Sequence, residues 1–552
     1  MGVPGLARRL EPYATHCSRE QLRGYSAIID GPALAYHAHK LATITSSSPS
    51  RLPTYADIND EAIRWLNSLE EYGIKVSEIL FDGALPQSKR LERLQRHEQN
   101  NRRVQQFRAS YPLASCPIPS YLGAVSYAFL APSLREILSL SKYASRTSSV
   151  PGEADDYCAS KAKQIPESII LTSDTDLVLY DYPHETLILF FSEADLPTGV
   201  KAYSPAEIRT RLQLNSLVKF AFALRDGHHD TASDLAANAR KVDTDSTEYT
   251  NFNRRYITIT ESSPPLSDQY IQITKVPLVD VRVSEFVHQA LNSSMTPLVY
   301  LPLLIEDPNQ ASAWIVCQDL RTMAYSLLAQ QAAIVQEYKR KAQGIAVQEI
   351  NVYSKANLLI PLNNFLEGQL KPLKKWAASK NLSPAILWPL FALSLTLPEL
   401  NSSPAIPLVL AVLNTEFDHS WSYIQLQARL QAAMYSLRML KQIIAVHLAL
   451  DHANDQDLQT SLANIDRLMQ DFPTIGEMFT IPGQPKRVLA GHEQLKSMVE
   501  EIYGSVGVEV PVEHVSNKKK KRQAREADRK KRKAEQRQQT GPPVGNAYAP
   551  LK

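Results

Sequence analysis

The chain has 552 residues, more than one ordinary core accommodates, so two or three domains are expected. Hydrophobic content of 44% and charged content of 21% suit a soluble globular protein, and the longest apolar run, 385–397, is too short for a bilayer and is broken by Pro389, so no membrane partner is expected. The net charge of +3 hides an asymmetry: residues 518–537 hold 12 basic and 3 acidic side chains, so the rest of the chain is net acidic and the basic character lies in a tail.

The opening MGVPGLARRL lacks the apolar run of a secretory leader, and Leu6 stands where a myristoylation signal needs Ser or Thr. Cys17, Cys116, Cys158 and Cys317 have no paired spacing. Neither a disulfide framework nor a zinc site is expected, and a reducing intracellular compartment fits.

In chain order, strands are expected at Ser26–Ile29, Glu78–Phe81, Ser168–Thr172 and Thr186–Phe191. Each is rich in Ile, Leu, Val or Phe, as a strand buried on both faces should be. Helices at Ile58–Tyr72, 87–106 and Glu153–Gln164 separate them. The alternation predicts an α/β fold with a mostly parallel sheet covered on both sides, and ligands in such sheets sit at the carboxyl ends of the strands. Ser204, Pro205 and Glu207 form a capping-box pattern that opens a helix near 204–214. Residues 227–267 turn polar and irregular. From about 275 to 503 the text reads as helical, including Leu320–Gln343 ending at Gly344 and Trp421–Leu450. Residues 505–552 are polar, basic and expected to be disordered.

Asp30, Asp82, Glu153, Asp155, Asp174 and Asp176 all fall where a strand ends or a helix begins. Singly, each reads as a turn, a cap or a solvated loop. Together they are a set of hard oxygen ligands drawn from distant segments, which suits divalent metal held against phosphate. Two such ions can activate water and stabilise the leaving oxygen of a phosphodiester. Lys89, Arg93, Arg96 and Arg103 fall on one stripe of the helix near 87–106 and suit a phosphate backbone. His228, His229 and Asp230 have no further ligand nearby and read as a loop. Trp376, Trp388, Trp421, Met434 and Met439 lie in apolar helical text and read as packing.

MGVPGLARRL, IIDGPALAY, LFDGALPQSKRLERLQR, PGEADDYCASKA and LTSDTDLVLY resemble, in order and spacing, the flap endonuclease and XPG superfamily of structure-specific nucleases, and the length and later helical region look most like its asteroid branch. The resemblance covers roughly residues 1–230. It implies a PIN-like, flap-endonuclease core with a twisted, mostly parallel sheet, in which residues 97–150 take the place of the arch or clamp. A polar insert or linker at 231–270, a helical domain at 271–504 and the disordered basic tail at 505–552 would follow. It also implies a magnesium or manganese site of two ions held by Asp30, Asp82, Glu153, Asp155, Asp174 and Asp176. Lys89 and Arg96 match the catalytic basic pair, Tyr36 an aromatic that stacks on a base, and Gly2 a terminus lying near the DNA. Asp226 is the closest match to the seventh acid, with Asp230 behind it. The glycine-rich hairpin that grips duplex backbone is missing from GHHDTASDLAANARK, and no sliding-clamp peptide is visible in the tail.

The expected function is a metal-dependent endonuclease of DNA flaps, overhangs or junctions, leaving a 5′-phosphate and a 3′-hydroxyl. The alternatives are a catalytically silent scaffold in RNA regulation or signalling, and a ribonuclease. Nucleic acid is the expected partner, DNA ahead of RNA, for a monomer whose helical domain is open to a protein partner. The two basic clusters of the tail predict nuclear import, with the cytoplasm as the alternative.

Overall fold

The computed structural model describes residues 3–511, apart from 47–50, 84, 87–88, 113–114, 151, 196–198, 228–229, 258–278, 292–295, 330–332 and 451–454. Its centre is a five-stranded parallel sheet of β1 (Ser26–Asp30), β2 (Lys75–Phe81), β3 (Thr147–Ser149), β4 (Ser168–Thr172) and β5 (Leu187–Phe190). The strand order is β3-β2-β1-β4-β5. The expected α/β class and all four expected strands are present. The fifth, β3, is a short polar edge strand (Thr-Ser-Ser) with no apolar run to announce it.

Successive β1 residues face opposite layers, as the pleat requires. Ala27 and Ile29 join an apolar cluster with α1 (Gly31–Thr45), α2 (Tyr55–Tyr72) and α4 (Leu130–Ser139). Ile28 joins a second cluster with α5 (Ala154–Ala162) and α6 (Leu217–Leu224). The turn from β1 into α1 needs glycine for space. A Cβ on Gly31 would stand 2.7 Å from the Phe81 ring and 2.8 Å from the Leu80 carbonyl. That close approach sets the start of α1 against the end of β2. The stripe helix is α3 (Arg90–Ser110).

Residues 231–256, expected as a polar insert, include α7 (Ala232–Arg240) and α8 (Thr247–Asn253). Both bury apolar residues, Leu235, Ala239, Tyr249 and Phe252 among them, in the second cluster.

The C-terminal region is mostly helical and shares the first cluster with the sheet, so one apolar core runs from α1 to the long helix α11 (Trp421–Ala449). Trp388, Trp421, Met434 and Met439 are buried in it as expected, and Trp376 packs half-buried at its edge. One helix is overturned. Leu320–Gln343 divides into α10 (Gln318–Leu328) and a strand, β7 (Ile334–Lys341), which pairs antiparallel with β8 (Gly344–Asn351) and parallel with β6 (Leu298–Tyr300). The inward positions of β7 include Glu337 and Lys339 beside Val335, so its alternation is not one of apolar with polar. Arg321 of α10 supplies the counter-charge that makes this burial tolerable. Among the described residues no helix is long and apolar enough to cross a membrane.

Candidate functional site

Because every strand of the central sheet runs the same way, the carboxyl ends of β1, β2 and β4 share one edge, and Asp30, Asp82 and Asp174 arrive there together. Asp30 is buried at the N-cap of α1, accepting from the Ala33 amide at 3.1 Å and the Thr172 hydroxyl at 2.8 Å. Asp82 accepts from the Ala154 amide at 2.8 Å and so caps α5 from a distant segment. Asp174 accepts from the Asp176 amide at 3.0 Å. Asp176 is held by the Val3 amide at 2.6 Å and the Tyr256 hydroxyl at 2.9 Å.

The acids act on one another. Burial, with Asp82 and Asp174 nearby, pushes Asp30 up to about 7 against its two hydrogen bonds. Burial, then Asp30, Asp174 and Asp82, raises Asp155 well above the usual carboxylate range. Its buried Oδ1 has no hydrogen-bond partner among the described residues. Burial also raises Asp82, opposed by Ala154, Arg93, Lys89 and Arg96. Burial raises Glu153 too, opposed by an ion pair with Lys89. Behind Asp82 lies a cavity of about 30 Å³ that reaches Arg135, Asp280 and Arg438.

An orphaned carboxylate oxygen among mutually repelling acids fits a hard divalent cation in donor chemistry. The acids are not drawn into a ready ligand shell. Among the described residues no group of three or more His, Cys, Asp or Glu side chains is arranged to hold a metal ion.

The basic stripe divides. Lys89 pairs with Glu153 at the acids, while Arg93 turns to Glu285 at 2.5 Å. Arg96 pairs with Glu92 in solvent, and Arg103, also exposed, donates to the Leu122 carbonyl at 3.3 Å. Tyr36 is 55% exposed on α1. Asp226 is exposed beyond the end of α6, and it is not among the largest influences on the buried acids. Asp230, the second choice, accepts from Asn238 at 3.3 Å. Gly2, His228 and His229 lie outside the described residues.

Three residues missed in the sequence support the acids. Thr172 donates to Asp30 and accepts from the Asp174 amide at 3.0 Å, tying two strand ends together. Tyr180 donates to Asp156 at 2.5 Å, and Tyr256 holds Asp176. The only trace of Tyr256 was an aromatic in otherwise polar text.

An "XPG domain containing" family matches residues 126–352, a span that takes in Glu153, Asp155, Asp174 and Asp176 and continues to β8. Asteroid homolog 1 of Schizosaccharomyces pombe (strain 972 / ATCC 24843) is 24% identical over 373 residues, which cover 64% of this chain and 66% of that protein, just under two thirds of its length. Among solved structures, human GEN1 in complex with Holliday junction DNA matches at 18% identity and a TM-score of 0.31, over 46% of this chain and 59% of that one. The catalytic core of Rad2 in complex with DNA substrate matches at 16% identity and a TM-score of 0.28, over 51% and 87%. The chain is asteroid/XPG-like, with a mostly parallel sheet flanked by helices and a largely helical C-terminal region.

Proposed function

We propose that this protein is a metal-dependent, structure-specific endonuclease that hydrolyses DNA phosphodiesters at flaps, overhangs or junctions. The observation that carries the reading is the meeting of Asp30, Asp82, Asp155 and Asp174 at one sheet edge, with Asp30, Asp82 and Asp155 raised by burial and Asp155 Oδ1 unpartnered among the described residues. These four, with Glu153 and Asp176, would hold magnesium or manganese, and two ions suit the number of carboxylates. Bound there, the ions would supply a polarised water and neutralise charge on the leaving oxygen. Lys89 and Arg96 would set positive charge beside the phosphate, and the ring of Tyr36 would take a base. The core at 1–230, the helical region at 271–504 and the basic tail would then serve catalysis, substrate shaping and nuclear import respectively, in a monomer. Residues 518–537 lie outside the described residues. A fusion without 505–552 that still accumulates in nuclei would refute the import role of the tail, and a full-length fusion that stays out of nuclei would select the cytoplasm.

The test is cleavage of labelled 5′-flap, 3′-overhang, splayed-arm and single-stranded DNA, and matching RNA, with Mg²⁺ or Mn²⁺. Asp174→Asn, Asp176→Asn protein serves as the control. Cutting that needs metal and is lost in the variant is expected, and preferred cutting of RNA would make it a ribonuclease. A second reading, a silent scaffold, is favoured by one observation: the acids have local partners and no ready ligand shell among the described residues. No cutting by folded protein, and no uptake of Mg²⁺ or Mn²⁺ in calorimetry, would select it.

A further inference from the structure

The stripe helix α3 meets the C-terminal region close to the acids, and the charges at that seam do not balance. Helix α9 (Val281–Ala290) presents Glu285, which is 2% exposed and bonded to Arg93 at 2.5 Å. The Arg93 guanidinium also lies over the Tyr300 ring, 5.3 Å from its centre. Tyr300 is in turn stacked on Tyr338 at 4.9 Å and 11°. Arg282, three residues before Glu285, donates to the Tyr300 carbonyl at 3.1 Å. Arg90, one turn before Arg93 on the same face of α3, has a buried Nε without a hydrogen-bond partner among the described residues. Arg93, Arg90 and Arg282 thus all act on Glu285, and Arg93 acts on Asp82 as well. Glu92 on α3 is paired with Arg96, and His97, one turn beyond Arg93, adds no anion; burial, then Arg282 and Arg93, pushes it down to about 4.

A purely structural ion pair would need one arginine for Glu285. Among the described residues the two further guanidiniums, Arg90 and Arg282, both half-buried, are in no ion pair, and Arg282 donates only to the Tyr300 carbonyl. Arginine forks suit phosphate oxygens, and the site lies along α3 from Lys89, whose own pairing is with the acids.

We propose that Arg90, Arg93 and Arg282, gathered around Glu285 and Tyr300, form a subsite for one backbone phosphate of the nucleic-acid strand that enters the acid cluster. This rests on the nucleic-acid reading above but not on cleavage. It makes the C-terminal region part of the substrate-binding surface. Glu285 is a positioning residue that holds Arg93 over Tyr300 and keeps the subsite at a net charge that a single phosphate diester leaves positive.

The experiment is fluorescence anisotropy of the full chain with a labelled single-stranded oligonucleotide in EDTA, over a salt series. Arg90→Gln and Arg282→Gln are each expected to weaken binding about fivefold at fixed salt. Each should lower the slope of log K against log salt by about 0.7, the value for one phosphate contact on a single strand. Arg90→Lys should restore most of the slope, and melting temperatures should confirm that every variant folds. Unchanged slopes in folded glutamine variants, beside a wild type that binds, would overturn the subsite. Inorganic phosphate that displaces the strand from wild type better than chloride at matched ionic strength, but not from Arg90→Gln, would assign the site to free phosphate and overturn the strand assignment. A wild type that binds no nucleic acid would sink the nuclease reading with it. Binding without cleavage would sink the nuclease reading alone.

Discussion

At the carboxyl edge of the parallel sheet, burial raises Asp30, Asp82 and Asp155, neighbouring acids add to the rise at Asp30 and Asp155, and Lys89 is already committed to Glu153. In the C-terminal sheet, Glu337 and Glu306 are more deeply buried, yet each has cations of its own. Arg321 and Lys339 bond Glu337 at 2.7 and 3.1 Å, and Arg340 bonds Glu306 at 2.5 Å. Burial pushes Glu337 up, but Arg321 and Lys339 outweigh it and hold the carboxyl at about 2. Burial alone therefore does not mark a functional site; uncompensated charge does. The charges of the Glu337 and Glu306 group are balanced within the protein, and those of the sheet-edge acids are not.

That contrast can be broken at either end. The largest expected effect is in the balanced group. Glu337→Ala leaves Arg321 buried without its counter-charge and should cost about 3–5 kcal/mol in denaturant unfolding. A loss under about 1 kcal/mol would show that the pair is not a structural necessity. At the sheet-edge acids, magnesium at 100 times its Kd should stabilise the wild type by about 2.7 kcal/mol, and Asp155→Asn should abolish most of that gain. Equal stabilisation of both proteins would place the ion elsewhere.

The metal-free protein should also show the sheet-edge acids in its pH dependence. A carboxyl with a folded pKa of about 7 stabilises the fold fully below its unfolded value near 3.8 and loses that contribution as pH rises through 7. Stability of the wild type relative to Asp30→Asn should therefore fall from pH 4 to pH 8. Thermal melts with no such difference would mean that Asp30 titrates normally. The smallest effect belongs to an exposed pair. Glu92→Gln, which frees Arg96, should change stability by no more than about 0.5 kcal/mol. A larger change would mean that Glu92 does more than screen Arg96.

Much of the site was legible because apolar runs and acids alternate in the text. Ser168–Thr172 was bounded as observed, and the strand ending at Asp30 was one residue short. The strand β7 was not legible, because charged residues occupy its inward positions and only a partner sixteen residues away, Arg321, explains them. Tyr256 was not legible either, since its role is a contact with Asp176 across 80 residues. The basic stripe was legible as a helix face, but spacing could not tell that Arg93 would form its ion pair with Glu285.

The sequence by itself determined the α/β core, the direction of its strands and the identity of the acids at their ends. Those follow from local hydrophobic pattern and from the rule that parallel strands present their carboxyl ends together. Only the tertiary structure decided which charges are paired. Pairing depends on side chains that arrive from remote segments, such as Lys89 on Glu153, Glu285 on Arg93 and Arg321 on Glu337. It also decided that Asp226 stands in solvent while Asp155 keeps an unpartnered oxygen among the acids, because burial is a property of the packed core and not of the residue.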